Sequence, residues 1–241
     1  LYILYSGGLD SEFVLSLFHS IGMNVTPVII RFNNNYNQHD ISQAIKYCET
    51  LNLKPTFIDI DFDKFVTSGQ LLEIATQTRS MKYQRPATAY AASLLDGTVI
   101  LGDGEPYIRL NENTNTWNLE IDEHDFAVYN YFQIKGIYGV PHFNRYRPGM
   151  MASYMLDPRM RDLAENKVVG KLGSNSSKHI MYSRHSPFLL SERQKYTGYE
   201  IIEKSKIFEH AVFAEFKRQC AKYDGLVAID YHKFINEYIE N

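Results

Sequence analysis

Over its first hundred residues the chain alternates between two hydrophobic periods, and that alternation restricts it to one fold class. The apolar run "YILY" is followed by a helical pattern from Ser11 to Ile21, then "VTPVIIRF", a second helical pattern from Asp40 to Leu51, and "KPTFIDIDF". Strands separated by helix-length segments cannot form tight hairpins, so they pair in parallel through crossover connections. The reading is an α/β fold with a doubly wound parallel sheet. A longer helical stretch, Asp63 to Leu95, leads to "TVILGDGE", which repeats the opening pattern of a strand and then a Gly/acid turn. Sheets of this kind bind ligands at the carboxyl ends of their strands, so both turns are candidate loops.

At 241 residues with a hydrophobic fraction of 44%, the chain can bury a substantial core. A formal net charge of -3 shows no global basic excess, so charge does not favour nucleic acid, although a local basic patch stays open. Cys48 and Cys220 are far apart. They make neither a disulfide framework nor a metal-ligand cluster and read as free thiols in a reducing compartment. His39, His124, His142, His179 and His185 lack metal-ligand spacing. There is no apolar run of membrane length and no visible signal peptide, so the expectation is a cytoplasmic protein with no membrane partner. The chain opens on a strand without a methionine, which leaves open an upstream segment. From Tyr107 the character changes: "YIRLNENTNTWNLEI" reads as a hairpin, and the remainder is mostly helical and rich in Tyr and Phe. The expected division is 1–105, a parallel α/β layer, and 106–241, a mostly helical region packed on it.

The stretch "SGGLDS", Ser6 to Ser11, stands between the first strand and the first helix. Gly7 and Gly8 permit positive φ and close approach of the backbone, and the following helix offers unpaired N–H groups and the positive end of its dipole. That is an anion cradle, with hydroxyl donors from Ser6 and Ser11. Asp10 would repel a phosphate directly, which makes sense if a magnesium ion sits between them. A Walker turn is excluded, since no Gly-Lys-Ser/Thr ending follows. The plainer alternative is a helix cap on an ordinary glycine turn.

"SGGLDS" directly after a first strand resembles the pyrophosphate loop of the ATP pyrophosphatase superfamily. The resemblance implies a Rossmann-like sheet of the adenine nucleotide alpha hydrolase type and ATP cleaved between its α and β phosphates. It places Ser6, Gly7, Gly8, Leu9, Asp10 and Ser11 around pyrophosphate, and Arg31 and Phe32, after the second strand, where this fold holds adenine by backbone contacts. The late stretch "SKHIMYSRHSPFLLSERQKYTGYE" is similar to the closing segment of asparagine synthetase-like domains. By that match Lys195 stands at the catalytic lysine and Arg193 at the arginine of the same element. The bland reading of Lys178, Arg184, Arg193 and Lys195 is a solvated basic face.

"LGDGEPY", Leu101 to Tyr107, resembles the family's second signature loop, with Gly102 beside the nucleotide and Asp103 in place of the first acid. It departs from the signature, because Pro106 and Tyr107 fall where an Asp-Glu pair should be. Glu105 is then the second candidate for magnesium ligand, with Asp10, or for the base. The implied activity is an ATP- and magnesium-dependent ligase that adenylates a carboxylate and transfers it to ammonia or another amine. No glutaminase portion is present in this sequence, so a separate glutaminase subunit is one source of the amine. The alternatives are a nucleobase- or nucleic-acid-modifying enzyme, with Tyr83, Tyr107 or Tyr138 stacking a base, and a nucleotide-binding regulatory module without catalysis.

Overall fold

The computed structural model describes residues 1–80, 82–102, 107–122, 126–165, 174–186, 188, 199–220, 226–230, 232–233 and 236. The expected alternation is present: β1 (Tyr2–Leu4), α1 (Leu9–Ser20), β2 (Thr26–Phe32), α2 (Gln38–Thr50) and β3 (Thr56–Ile60). The long helical stretch divides into α3 (Phe62–Thr67), α4 (Gln70–Thr78) and α5 (Gln84–Ser93) before β4 (Val99–Leu101). Gly69 and Arg79, both at positive φ, separate these helices. The Asp61 carboxylate caps α3 by accepting from the Lys64 N–H at 3.0 Å.

Next come the hairpin β5 (Tyr107–Asn111) and β6 (Thr116–Asp122), then α6 (Phe126–Lys135) and β7 (Gly139–Val140). Helices α7 (Pro148–Met155), α8 (Pro158–Glu165), α9 (Ser174–Ser183), α10 (Tyr199–Ile202) and α11 (Ala211–Cys220) lead to β8 (Leu226–Asp230). The main sheet has the order β3-β2-β1-β4-β7, with every pairing parallel. The winding reverses between β1 and β4, so the crevice at their carboxyl ends is the topological switch point.

Each face of the sheet has its own apolar cluster. Phe13, Val14 and Leu15 of α1, each 1% exposed or less, share one with Ile41 and Cys48 of α2 and Tyr154, Met181 and Tyr182 of α7 and α9. Burying side chains of this size contributes about 1.5–3 kcal/mol apiece. The other face carries Phe62, Leu71, Ala87, Phe132 and Phe213 from α3, α4, α5, α6 and α11.

The alternating stretch after Tyr107 is indeed a hairpin, its turn held by the Asn111 side chain accepting from the N–H groups of Asn113 and Thr114. β8 pairs antiparallel with β6 to complete a second sheet, and Trp117 and Leu119 point from β6 into the cluster that covers α1. Residues after 105 also extend the main sheet, since β7 pairs with β4. Among the described residues no helix is long and apolar enough to cross a membrane.

Candidate functional site

The turn between β1 and α1 is built by the four residues that sequence reading singled out for backbone freedom and hydroxyl groups. Gly7 has φ +77°, and a Cβ there would stand 2.8 Å from the Asp40 carbonyl oxygen. Only glycine meets both conditions without strain. The Ser11 hydroxyl donates to the Gly8 carbonyl at 3.0 Å and accepts from the Ser6 N–H at 3.3 Å, while the Gly8 N–H donates to the Ser6 hydroxyl at 3.3 Å. The cradle is therefore shaped before any ligand arrives. Gly102, at the end of β4, packs directly on it: a Cβ there would come within 2.6 Å of Ser11 Cα and N. The position of Gly102 is fixed from the far side by Asn144, fully buried, whose amide donates to the Gly102 carbonyl and whose oxygen accepts from Tyr154 at 3.3 Å.

Asp10 lies in the first turn of α1, where a carboxylate suits the helix dipole but competes with a bound anion. Both its oxygens are held. Lys178 of α9 donates to Oδ2 at 2.7 Å, and the Tyr182 hydroxyl, one turn further along α9, donates to Oδ1 at 2.6 Å. Beneath them the rings of Phe13 and Tyr182 stack at 4.6 Å, with Tyr154 edge-on to both. Burial, with the Asp10 charge adding, pushes the Tyr154 phenol well above its ordinary pKa. A second carboxylate, Glu12, is fully buried and accepts from the Tyr5 hydroxyl at 3.2 Å.

Sequence reading gave Asp10 to magnesium; here both of its oxygens accept from protein donors. Lys178 neutralises the carboxylate directly, so the anion cradle is not opposed by a bare negative charge. Among the described residues no group of three His, Cys, Asp or Glu side chains is placed to hold a metal. Glu105, the other expected magnesium ligand, lies outside the described residues, as do Asp103, Arg193 and Lys195.

Ser6, Asp10, Ser11 and Gly102 open on a cavity of about 420 Å³. Val28, Ile30, Phe32 and Tyr199 give it an apolar wall, and Lys82, Gln84, Arg85 and Thr88, around the start of α5, face the glycine turn from the other side of the sheet. These four polar residues were missed in the sequence. The only signal was a pair of cations at the start of a helix, which is indistinguishable from a solvated surface until the topology is known.

Phe32 lines the cavity, but Arg31 does not. Strand alternation sends the Arg31 side chain to the opposite face, where it pairs with Asp59 at 2.7 Å through two nitrogens and lies over the Phe57 ring at 4.4 Å. Tyr83 does not present a stacking face either. It is 8% exposed, donates to Glu203 at 2.8 Å and packs edge-on to Tyr199 and Phe213.

No family model matches the chain, and no curated protein matches it. Among solved structures it is similar to "predicted subunit of tRNA methyltransferase" from Methanocaldococcus jannaschii, at 16% identity over 77% of this chain and 89% of that one, with a TM-score of 0.37. It is similar also to NMN synthetase from Francisella tularensis, at 16% identity over 80% of this chain and 89% of that one, with a TM-score of 0.32. Likeness at this level does not carry either neighbour's activity to this chain.

Proposed function

We propose that the protein is an ATP-dependent, AMP-forming ligase that adenylates a carboxylate and passes the acyl group to ammonia or another amine. One observation carries the reading: a preorganised glycine turn at the switch point of a parallel sheet, with Asp10 at the start of α1 paired to Lys178, opening on a cavity of about 420 Å³.

In this reading the N–H groups of the turn and the start of α1 hold the β and γ phosphates of ATP. A carboxylate oxygen of the substrate attacks the α-phosphorus, and the bond from that phosphorus to the bridging oxygen breaks. Pyrophosphate leaves with the electron pair, and the acyl adenylate remains. The turn is shaped by its own hydrogen bonds, and preorganised donors at a leaving group are the kind of stabilisation that lowers such a barrier most. Lys82 and Arg85 add positive charge across the cavity. The resemblance assigns Lys195 and Arg193 to the same leaving group, and Tyr199, four residues after Lys195 in sequence, lines the cavity. The amine then attacks the acyl carbon, AMP departs, and the surplus proton of the amine goes to Asp103 or Glu105, which follow Gly102 in sequence.

The test is ATP turnover with magnesium, ammonium and a panel of carboxylates, scoring AMP with pyrophosphate separately from ADP with phosphate. Carboxylate-dependent AMP and pyrophosphate support the reading. ADP and phosphate as the products contradict it, and ATP bound without cleavage in every mixture points to a regulatory module.

A further inference from the structure

Gln84, the first residue of α5, lines the cavity beside Lys82, Arg85 and Thr88. Its Oε1 is buried and accepts from no donor among the described residues. Folded chains leave few such atoms, because a buried acceptor without a partner costs stability that an apolar side chain of similar shape would not.

A loose loop does not explain it. Tyr83, just before it, donates to Glu203 at 2.8 Å and packs edge-on to Tyr199 and Phe213, and the Thr88 hydroxyl donates to the Gln84 carbonyl at 3.2 Å. Ala87, Ala89, Ala91 and Ala92, each 1% exposed or less, seat the helix closely on its neighbours. The main chain at Gln84 is therefore fixed, and the carboxamide oxygen is what the fold leaves over.

The last torsion of a glutamine is soft, so the amide plane turns into the cavity at small cost, and Oε1 has no bond to break on the way. Its partner there must be a donor. Phosphate and carboxylate oxygens offer none. An ammonium is disfavoured, since Lys82 and Arg85 place positive charge on the same stretch of wall. A neutral donor remains, a hydroxyl above all. The nucleotide reading above puts the phosphates at the Ser6–Ser11 turn, and the resemblance puts the base beside Phe32. The group that joins them is the sugar, and its hydroxyls are the donors that lie between the two ends.

We infer that Gln84 accepts a hydrogen bond from a ribose hydroxyl of the bound nucleotide and so selects a ribonucleotide over its deoxy counterpart. The inference rests on the nucleotide reading of the cavity. A site built to hydrogen-bond a hydroxyl rejects the analogue that lacks it, because its own polar group is then left buried and unpaired. The empty protein already carries that cost. A ribose hydroxyl removes it, and a deoxy sugar does not.

The experiment is a calorimetric titration of ATP, 2′-deoxy-ATP and 3′-deoxy-ATP into the wild type and Gln84→Leu, with a melting curve for each protein. Leucine keeps the helix propensity of glutamine and removes the acceptor. The wild type is expected to bind one of the two deoxy nucleotides at least about fivefold more weakly than ATP. Gln84→Leu is expected to bind ATP and that analogue alike, and to melt at or above the wild-type temperature, since the orphaned acceptor is gone. Equal wild-type affinity for all three nucleotides overturns the inference, as does a Gln84→Leu variant that keeps the discrimination. A variant that melts well below wild type, or does not fold, overturns it too, because Oε1 then serves the structure. Gly7→Val separates the two levels: ATP binding that Gly7→Val abolishes but that ignores the sugar hydroxyls removes this inference and leaves the function standing. Absence of ATP binding in the wild type removes both.

Discussion

Lys178 and Asp10, separated by 168 residues, meet at 2.7 Å with side chains only 14% and 12% exposed. The pair fastens α9 to the glycine turn and cancels the Asp10 charge, which would otherwise oppose a phosphate there. Lys178→Met leaves a buried carboxylate that still accepts from the Tyr182 hydroxyl but has lost its ammonium partner, and is expected to cost about 3 kcal/mol. Asp10→Asn in the same background should recover part of that loss, because the two changes act on one contact. Urea unfolding of the two single variants and the double variant measures it. Additive losses would show that the pair is not coupled.

Gly102 is a second point where the site has no room to give. An added methyl group meets the backbone of Ser11 and Asp10 at 2.6–2.7 Å, which no rotamer change can relieve. Gly102→Ala should lower stability by about 1–3 kcal/mol and weaken phosphate binding together, since the cradle itself must shift. Alanine placed at Gly22, where nothing lies within 4 Å of the added carbon, carries the strain of a positive φ, which Gly102 does not have, and lacks the contact. Melting curves and pyrophosphate titration on both variants separate the two effects.

His185 makes the docking of α9 sensitive to acid. Its ring is edge-on to Tyr154 at 5.6 Å, and burial lowers its pKa below the ordinary value, helped by Arg184 and opposed by Asp157 and the Ser153 backbone. A lowered folded pKa means that the unfolded chain takes up the proton first as pH falls. Stability is then full above about pH 6.5 and declines below it until the folded ring also protonates. His185→Gln should flatten the unfolding free energy between pH 7 and pH 5. Asp157, held low chiefly by its hydrogen bond from Arg159, acts in the same direction only at more acid pH, below the ordinary carboxylate range. A wild-type profile flat from pH 7 to pH 5 would contradict the assignment.

Cys48 is fully buried on α2, and burial pushes its thiol up to about 12. It should resist alkylation at pH 8 in the folded protein and react promptly in denaturant. Peptide mapping after iodoacetamide treatment reads Cys48 apart from Cys220. Rapid labelling of Cys48 under native conditions would mean that α2 opens readily.

The parallel sheet and the glycine turn were legible because both are local. Strand and helix periods lie within a few residues, and Gly7 declares its backbone conformation by being glycine. The hairpin after Tyr107 was legible for the same reason. The partners of Asp10 were not, since no local pattern connects it with Lys178 and Tyr182 across most of the chain. The motif locates the end of β2, where Arg31 and Phe32 were expected to act through their backbone, but only alternation decides that the Phe32 side chain lines the cavity while that of Arg31 turns to Asp59.

The central claim is that the Ser6–Ser11 turn holds the pyrophosphate of ATP, and calorimetric titration of ATP and of pyrophosphate into wild type and Gly7→Val tests it most directly. The account predicts that both ligands bind the wild type and that the variant loses both while keeping a cooperative melting transition. ATP binding that survives Gly7→Val unchanged would place the phosphates elsewhere and contradict it.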